Sequence, residues 1–309
     1  MRVIPEVDIS AEGAAVVAGI RAAMSEIGFV QIVGHGVPPA VIAAAHGTVA
    51  WFDRVPPAER EHLVRPHAAS RGLIETVVDG VLLRRSLQFT RHDTTEDAEA
   101  AGAVRGHPDW FAPNVWPTDA GFRAVWHEYR VAVTALGHRL MALFAQALGL
   151  SADHFAPSFE TDATLFSANW YSPRPAFAPG EDPVLLHAHP DSGVLTLLHQ
   201  AGGYDGLQVL DRDGGWITVP TRPEAFIINI GVLMTRWTNG SWPATVHRVL
   251  AGPDPSLSRS SIAAFFLPNI DEVIAPVPAL VGSGVPAYEP ISTYDWEQRY
   301  MTDYILASL

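Results

Sequence analysis

His187-Ala188-His189-Pro190-Asp191-Ser192-Gly193-Val194-Leu195-Thr196-Leu197-Leu198 decides how the rest of the chain is read. Metal-capable side chains end one short apolar run and a second run follows, which reads as strand, turn, strand. His189 and Asp191 are two apart. On a strand, residues i and i+2 point to one face, so the pair can reach a single metal ion. A His-x-Asp triplet alone is common by chance in a chain with 13 histidines. What lies downstream gives it weight: His247, and then Arg259-Ser260-Ser261.

Two histidines and a carboxylate on one face of an octahedral ion form the ligand set of a non-haem iron(II) site. They leave three positions open, two for a bidentate 2-oxo acid and one for O2. Arg259 and Ser261 again share a strand face, and a guanidinium fork beside a hydroxyl suits a carboxylate. The residues thus point to an enzyme that binds iron, a small anionic co-substrate and O2. Pro190 donates no hydrogen bond, which places the triplet at a sheet edge or mouth.

Bulk properties exclude several alternatives. The chain has 309 residues, nearly half of them apolar, enough for a large buried core. It has no cysteine, so disulfides, iron–sulfur clusters and thiolate metal sites are excluded. All 20 basic residues are Arg, which rules out Schiff-base chemistry on a lysine. A net charge of −13 opposes nonspecific nucleic-acid binding. No apolar run is long enough to span a bilayer, and the N-terminus has no apolar signal core, so a cytoplasmic protein with a small-molecule substrate is expected.

Working outward, the spacing predicts an amphipathic helix over 10–25, a strand over 28–33 and a helix opened by Pro38 through about Phe52. Residues 75–91 read as loop and strand, 93–117 as irregular, and 120–148 as a long helix capped by Gly149. After residue 160 short apolar runs alternate with turns, at 164–171, 183–189, 193–198, 206–210, 216–219, 225–230, 244–250 and 260–267. This texture predicts a β-sandwich or jelly roll. The tail from Tyr294 reads as helix. The expected organisation is a helical or mixed N-terminal region, 1–120, and a core over 121–309 consisting of the long helix, the β structure and the C-terminal helix. The two form one integrated catalytic unit.

The motifs together resemble the isopenicillin N synthase-like branch of the iron(II)/2-oxoglutarate-dependent oxygenases. His189, Asp191, His247, Arg259 and Ser261 match the family's HxD, His and RxS pattern. Gly206-Leu207-Gln208-Val209, Asn229-Ile230-Gly231, Trp237-Thr238-Asn239-Gly240 and His247-Arg248-Val249 resemble its GLQV, NIG, WTNG and HRV segments. Asn169-Trp170-Tyr171-Ser172-Pro173 is similar to its NYYP segment, and Asn114-Val115-Trp116-Pro117 to its NxWP. The resemblance covers nearly the whole chain. It implies an all-β core with surrounding helices, a distorted double-stranded β-helix. It also implies iron(II) on His189, Asp191 and His247, and 2-oxoglutarate held by Arg259 and Ser261 with Tyr171 and Asn169. The reaction implied is hydroxylation, desaturation or cyclisation of a small molecule, in specialised metabolism. Two alternatives stay open on the sequence: an iron oxidase of this fold that needs no 2-oxoglutarate, and a catalytically silent ligand-binding relative.

Three features depart from the family pattern. Ser192 follows the Asp where an aromatic or small aliphatic residue is usual, and Val232 follows NIG where an acid is usual. Arg84-Arg85 replaces a Lys-Glu pair. Adjacent strand residues face opposite ways, so at most one of the two arginines faces the pocket. The other, or both, would meet acids such as Glu75 or Asp79. Arg84, Arg85 and His187 are therefore the candidate substrate-binding residues, with an acidic substrate favoured. His199 and His35 read as structural, Trp237 and Trp242 as packing. Arg71 reads equally well as a pocket-border residue or a solvated loop residue.

Overall fold

Each apolar run expected after residue 160 is a strand in the computed structural model, which describes residues 3–11, 13–64, 71–78, 80–174, 177 and 183–305. The front half runs β1 (Glu6–Asp8), α1 (Ala14–Glu26), β2 (Phe29–Val33), α2 (Pro39–Val49), a 3-10 turn (Ala50–Arg54), α3 (Pro57–Leu63), β3 (Gly72–Val78), β4 (Val81–Thr90) and α4 (Thr95–Ala100). The long helix α5 (Ala120–Ala147) starts where Asp119 accepts from the Gly121 N–H at 2.8 Å, and ends at Gly149, whose φ of 79° lets the chain turn back. Then come β5 (Leu165–Tyr171), β6 (Val184–His189), β7 (Leu195–Gly202), β8 (Leu207–Leu210), β9 (Trp216–Thr218), β10 (Phe226–Ile230), α6 (Val232–Trp237), β11 (His247–Leu250) and β12 (Arg259–Phe266). A short pair, β13 (Val273–Ile274) and β14 (Ile291–Ser292), brackets α7 (Pro278–Val281). It leads into α8 (Thr293–Tyr300) and a π-helical turn (Met301–Ile305).

The strands form an eight-stranded sheet, β1-β2-β10-β7-β12-β5-β4-β3, and a four-stranded sheet, β6-β11-β8-β9. Every pairing in the two is antiparallel except β1 with β2. This is the jelly-roll core, a distorted double-stranded β-helix with helices packed outside. Two stretches differ from expectation. Residues 72–78 and 81–90 are two paired strands that extend the large sheet rather than a loop and one strand. Strand β7 continues past Leu198 to Gly202, because it pairs along its whole length with β12.

Period-two alternation places the site. Along β7 and β12, Leu195, Leu197, Ile262, Ala264 and Phe266 share a core with residues of α1, α2 and α5. The intervening residues, Thr196, Gln200, Arg259 and Ser261, point to the opposite, inner face. Their cross-strand neighbours there are Asn229, Asn169 and Tyr171. The small sheet closes over this polar floor through two apolar contacts. In one, Leu207, Val209 and Ile217 meet Phe29 and Ile227; in the other, Leu185 and Val249 meet Tyr171. A polar strip buried between two sheets costs free energy unless its groups find partners, so the strip is where ligand chemistry belongs. No helix among the described residues is long and apolar enough to cross a membrane.

Candidate metal centre and carboxylate clamp

His189 ends edge strand β6 and sits directly across from His247 on β11. Asp191 lies two residues past the strand end, off the sheet. The shared face predicted for the pair therefore holds although only one of the two is in a strand. The ligating atoms of His189, Asp191 and His247 all lie within 4.8 Å of one another. The Asp191 Oδ1 oxygen is 3.8 Å from His189 Nε2 and 3.6 Å from His247 Nε2. Each imidazole donates from Nδ1 to a carbonyl two residues earlier, His187 O at 2.7 Å and Thr245 O at 3.2 Å. A carbonyl only accepts, so Nδ1 carries the proton and Nε2 turns a lone pair inward. Burial, and then the neighbouring His247, pull the His189 pKa down to about 4, which keeps it neutral and able to ligate.

Asp191 is held as firmly. Its Oδ2 accepts from Thr196 Oγ1 and from Asn229 Nδ2, both at 2.6 Å. Burial alone would raise its pKa, but the two imidazoles and these two donors outweigh it and hold the carboxyl below its ordinary range. The backbone around it is clamped too. The first N–H groups of α6, Val232 and Leu233, donate to the Asp191 and Ser192 carbonyls at 2.9 and 3.2 Å. A Cβ on Gly231 would stand 2.1 Å from the Gly193 carbonyl oxygen, so only glycine lets these turns meet. Val232 works here through its N–H, which a non-acidic side chain supplies equally well. From below, α8 reaches the same loop: Trp296 Nε1 donates to Ser192 O at 3.1 Å and the Tyr300 hydroxyl to Pro190 O at 2.6 Å. The Ser192 hydroxyl donates to Glu297 at 3.1 Å. Burial pushes the Glu297 carboxyl up to about 7.

The second constellation lies further along the same inner face. Arg259 is 1% exposed. Its Nη2 donates to Gln200 Oε1 at 2.5 Å, and the guanidinium lies 5.0 Å from the Tyr171 ring centroid. Its Nε and Nη1 have no hydrogen-bond partner, and no carboxylate pairs with it among the described residues. Ser261 is its neighbour on the same face. A buried guanidinium with two free donors is a receptor for a carboxylate.

The comparisons with known proteins agree with this geometry. The sequence profile of the 2OG-Fe(II) oxygenase superfamily matches residues 164–268, and that of the non-haem dioxygenase in morphine synthesis N-terminal region matches residues 4–119. Flavanone 3-dioxygenase 2 of Oryza sativa subsp. japonica is 30% identical over 298 residues, covering 94% of this chain and 81% of its own length. The chain belongs to the 2OG-Fe(II) oxygenase superfamily. A putative 2OG-Fe(II) oxygenase of Caulobacter crescentus superimposes with a TM-score of 0.86 at 25% identity, covering 97% of this chain and 99% of its own. A full-length Neurospora crassa protein solved in complex with alpha-KG does so at 0.82 and 25% identity, covering 97% and 96%. The protein is an iron(II)- and 2-oxoglutarate-dependent dioxygenase, with O2 as co-substrate.

The remaining sequence-selected residues of the oxygenase separate cleanly. Asn169 has both amide functions engaged inside the chain. Its Oδ1 accepts from Ser86 and Ser167 at 2.8 and 3.1 Å, and its Nδ2 donates to the Ser167 and Ser261 carbonyls. Arg85 points away from the site, pairs with Glu75 at 2.7 Å and donates to Phe52 O at 3.0 Å; Asp79 lies outside the described residues. Arg84 faces the other way. The side chain of His187 is exposed, and its carbonyl holds His189. His199 lies on the helix-facing side of β7, not on the metal side, bonded to His46 and to Pro223 O at 2.9 and 3.1 Å. His35 accepts from the Val37 N–H within its turn. Trp237 and Trp242 are core residues, stacked on Phe155 and edge-on to Phe144. Arg71 is buried and donates to the Trp110 carbonyl, so it is not a solvated loop residue. Sequence reasoning assigned no role to Thr196, Asn229, Gln200, Trp296, Glu297 or Tyr300. Asn229 lay inside the segment similar to NIG, and Thr196 in the apolar run that follows Asp191; the α8 residues gave no signal beyond a helical tail.

Proposed function

We propose that His189, Asp191 and His247 hold the iron of this dioxygenase, and that Arg259 and Ser261 hold the far carboxylate of 2-oxoglutarate, with Tyr171 walling the guanidinium. Bound there, iron(II) supplies O2 activation coupled to oxidative decarboxylation of 2-oxoglutarate to succinate and CO2. The chain's own contribution is positional. Thr196 and Asn229 occupy Asp191 Oδ2 and leave Oδ1 for the metal. The His187 and Thr245 carbonyls fix both imidazole tautomers. Gln200 aims one edge of the Arg259 fork and leaves the other free. Asn169 acts through the β5–β12 pairing beside Ser261 rather than on the co-substrate itself. The apolar contacts between the sheets exclude water. Spans 1–120 and 121–309 serve as one catalytic unit, since β1 to β4 lie in the same sheet as β5, β7, β10 and β12.

The observation that carries this reading is the division of labour on Asp191, one oxygen saturated by the chain and the other facing two Nε2 atoms. Iron content and circular dichroism of His189→Ala, Asp191→Ala, His247→Ala and His187→Ala test it. The first three should lose iron with the fold intact, and His187→Ala should keep it. Iron retained by Asp191→Ala and lost by His187→Ala reverses the assignment.

A further inference from the structure

Arg84 and Arg85 are neighbours in sequence and opposites in environment. Arg85 has its acid: Glu75 at 2.7 Å. It lies opposite Trp170 and Glu75 in the sheet, whereas Ser86 lies opposite Asn169 on the inner face. Alternation therefore sends Arg84 to the inner side with Ser86, toward the mouth of the site. Among the described residues no ion pair forms at Arg84, and its Nε is buried without a hydrogen-bond partner.

Charge bookkeeping gives the reason for such an arrangement. Iron(II) and Arg259 on one side, and Asp191 and dianionic 2-oxoglutarate on the other, balance to neutrality. Arg84 is then an uncompensated cation on the inner side of the sheet. A half-buried cation whose Nε is buried without a partner is best satisfied when something anionic arrives with the substrate. We infer that Arg84 reads a carboxylate on the primary substrate, so that this oxygenase acts on a small organic acid rather than on its neutral counterpart. This rests on the iron and 2-oxoglutarate assignment above, and gives that site its substrate class.

The test uses the full chain loaded anaerobically with iron(II) and 2-oxoglutarate, whose visible charge-transfer band responds to a molecule entering beside the metal. Phenylacetate, 3-phenylpropanoate, cinnamate, octanoate and N-acetylleucine are titrated in, each beside its primary amide. At least one acid should perturb the band where its amide does not. In Arg84→Gln that acid should bind about 10- to 100-fold more weakly, the range of a charge-assisted contact, and Arg84→Lys should recover part. The 2-oxoglutarate titration itself, and the thermal melt, should be unchanged in both variants. Equal response to acids and amides, equal acid affinity in Arg84→Gln, or no acid bound at all overturns the inference. So does loss of 2-oxoglutarate affinity in Arg84→Gln, which would assign Arg84 to the co-substrate and leave the functional reading standing. Absence of the band in the parent protein marks instead the failure of that reading, and the inference falls with it.

Discussion

The two ends of the site between the sheets are built on opposite rules. At the metal end nearly every polar atom that does not face the centre is occupied: Asp191 Oδ2 twice over, both Nδ1 atoms, and the Asp191 and Ser192 carbonyls. At the clamp end the chain commits one guanidinium nitrogen of Arg259 to Gln200 and leaves Nε and Nη1 bare. The difference follows from what each end binds. A metal needs a few lone pairs aimed to within a fraction of an ångström, so the chain saturates everything else. A carboxylate arrives with its own acceptors, so the chain keeps donors in reserve.

Breaking the metal end should have the largest effect. Asp191→Ala removes the one anionic ligand, and bound iron measured by metal analysis should fall from near stoichiometric to background. Breaking the clamp comes next. Arg259→Ala should weaken 2-oxoglutarate by about 10- to 100-fold, the worth of a buried charge-assisted pair. Arg259→Lys should recover only part, since an ammonium cannot reproduce the fork. Iron affinity should stay unchanged in both, and a parallel loss of iron would mean that the two ends are not separable.

The scaffolding around Asp191 should matter less than Asp191 itself. Thr196→Val or Asn229→Ala each strips one donor from Oδ2 and should lower iron affinity about tenfold, the low end for groups that orient a ligand. Because both act on one oxygen, the double variant should lose less than the product of the two. Full additivity would show that they support the fold by separate routes.

The smallest effect concerns the layer beneath. Glu297 keeps its proton in the folded chain up to about pH 7, against an ordinary value of 4.5, chiefly because it is buried. It therefore favours folding most below 4.5, and that advantage is lost as pH rises through 7. The metal-free parent should melt a few degrees lower at pH 8 than at pH 5 on this account, and Glu297→Gln should flatten the difference. An unchanged slope in Glu297→Gln would remove Glu297 from the support of the Ser192 loop.

How much of this was legible in the sequence follows the same division. Strand periodicity exposed the jelly roll, and motif spacing brought His189, Asp191, His247, Arg259 and Ser261 together. Those residues are chemically distinctive wherever they stand. The supporting groups were less readable, because Thr196, Asn229 and Gln200 are ordinary strand residues until cross-strand register sets them against Asp191 or Arg259. The hairpin of β3 and β4 was half missed because its exposed Ile74, Val77, Val78 and Val81 do not alternate with polar residues as an edge strand usually does. Arg84 and Arg85 were distinguishable in principle by alternation, but which one faces inward required the register with β5.

The central claim is that the space between the two sheets holds a His-Asp-His iron site at one end and a carboxylate clamp at the other. Anaerobic titration of 2-oxoglutarate into the iron(II)-loaded protein, following the visible charge-transfer band, tests it most directly. The account predicts a saturable band in the parent, the same band at about 10- to 100-fold higher 2-oxoglutarate in Arg259→Ala, and none in Asp191→Ala. A band of full intensity in Asp191→Ala, or a titration of Arg259→Ala that overlays the parent, would contradict it.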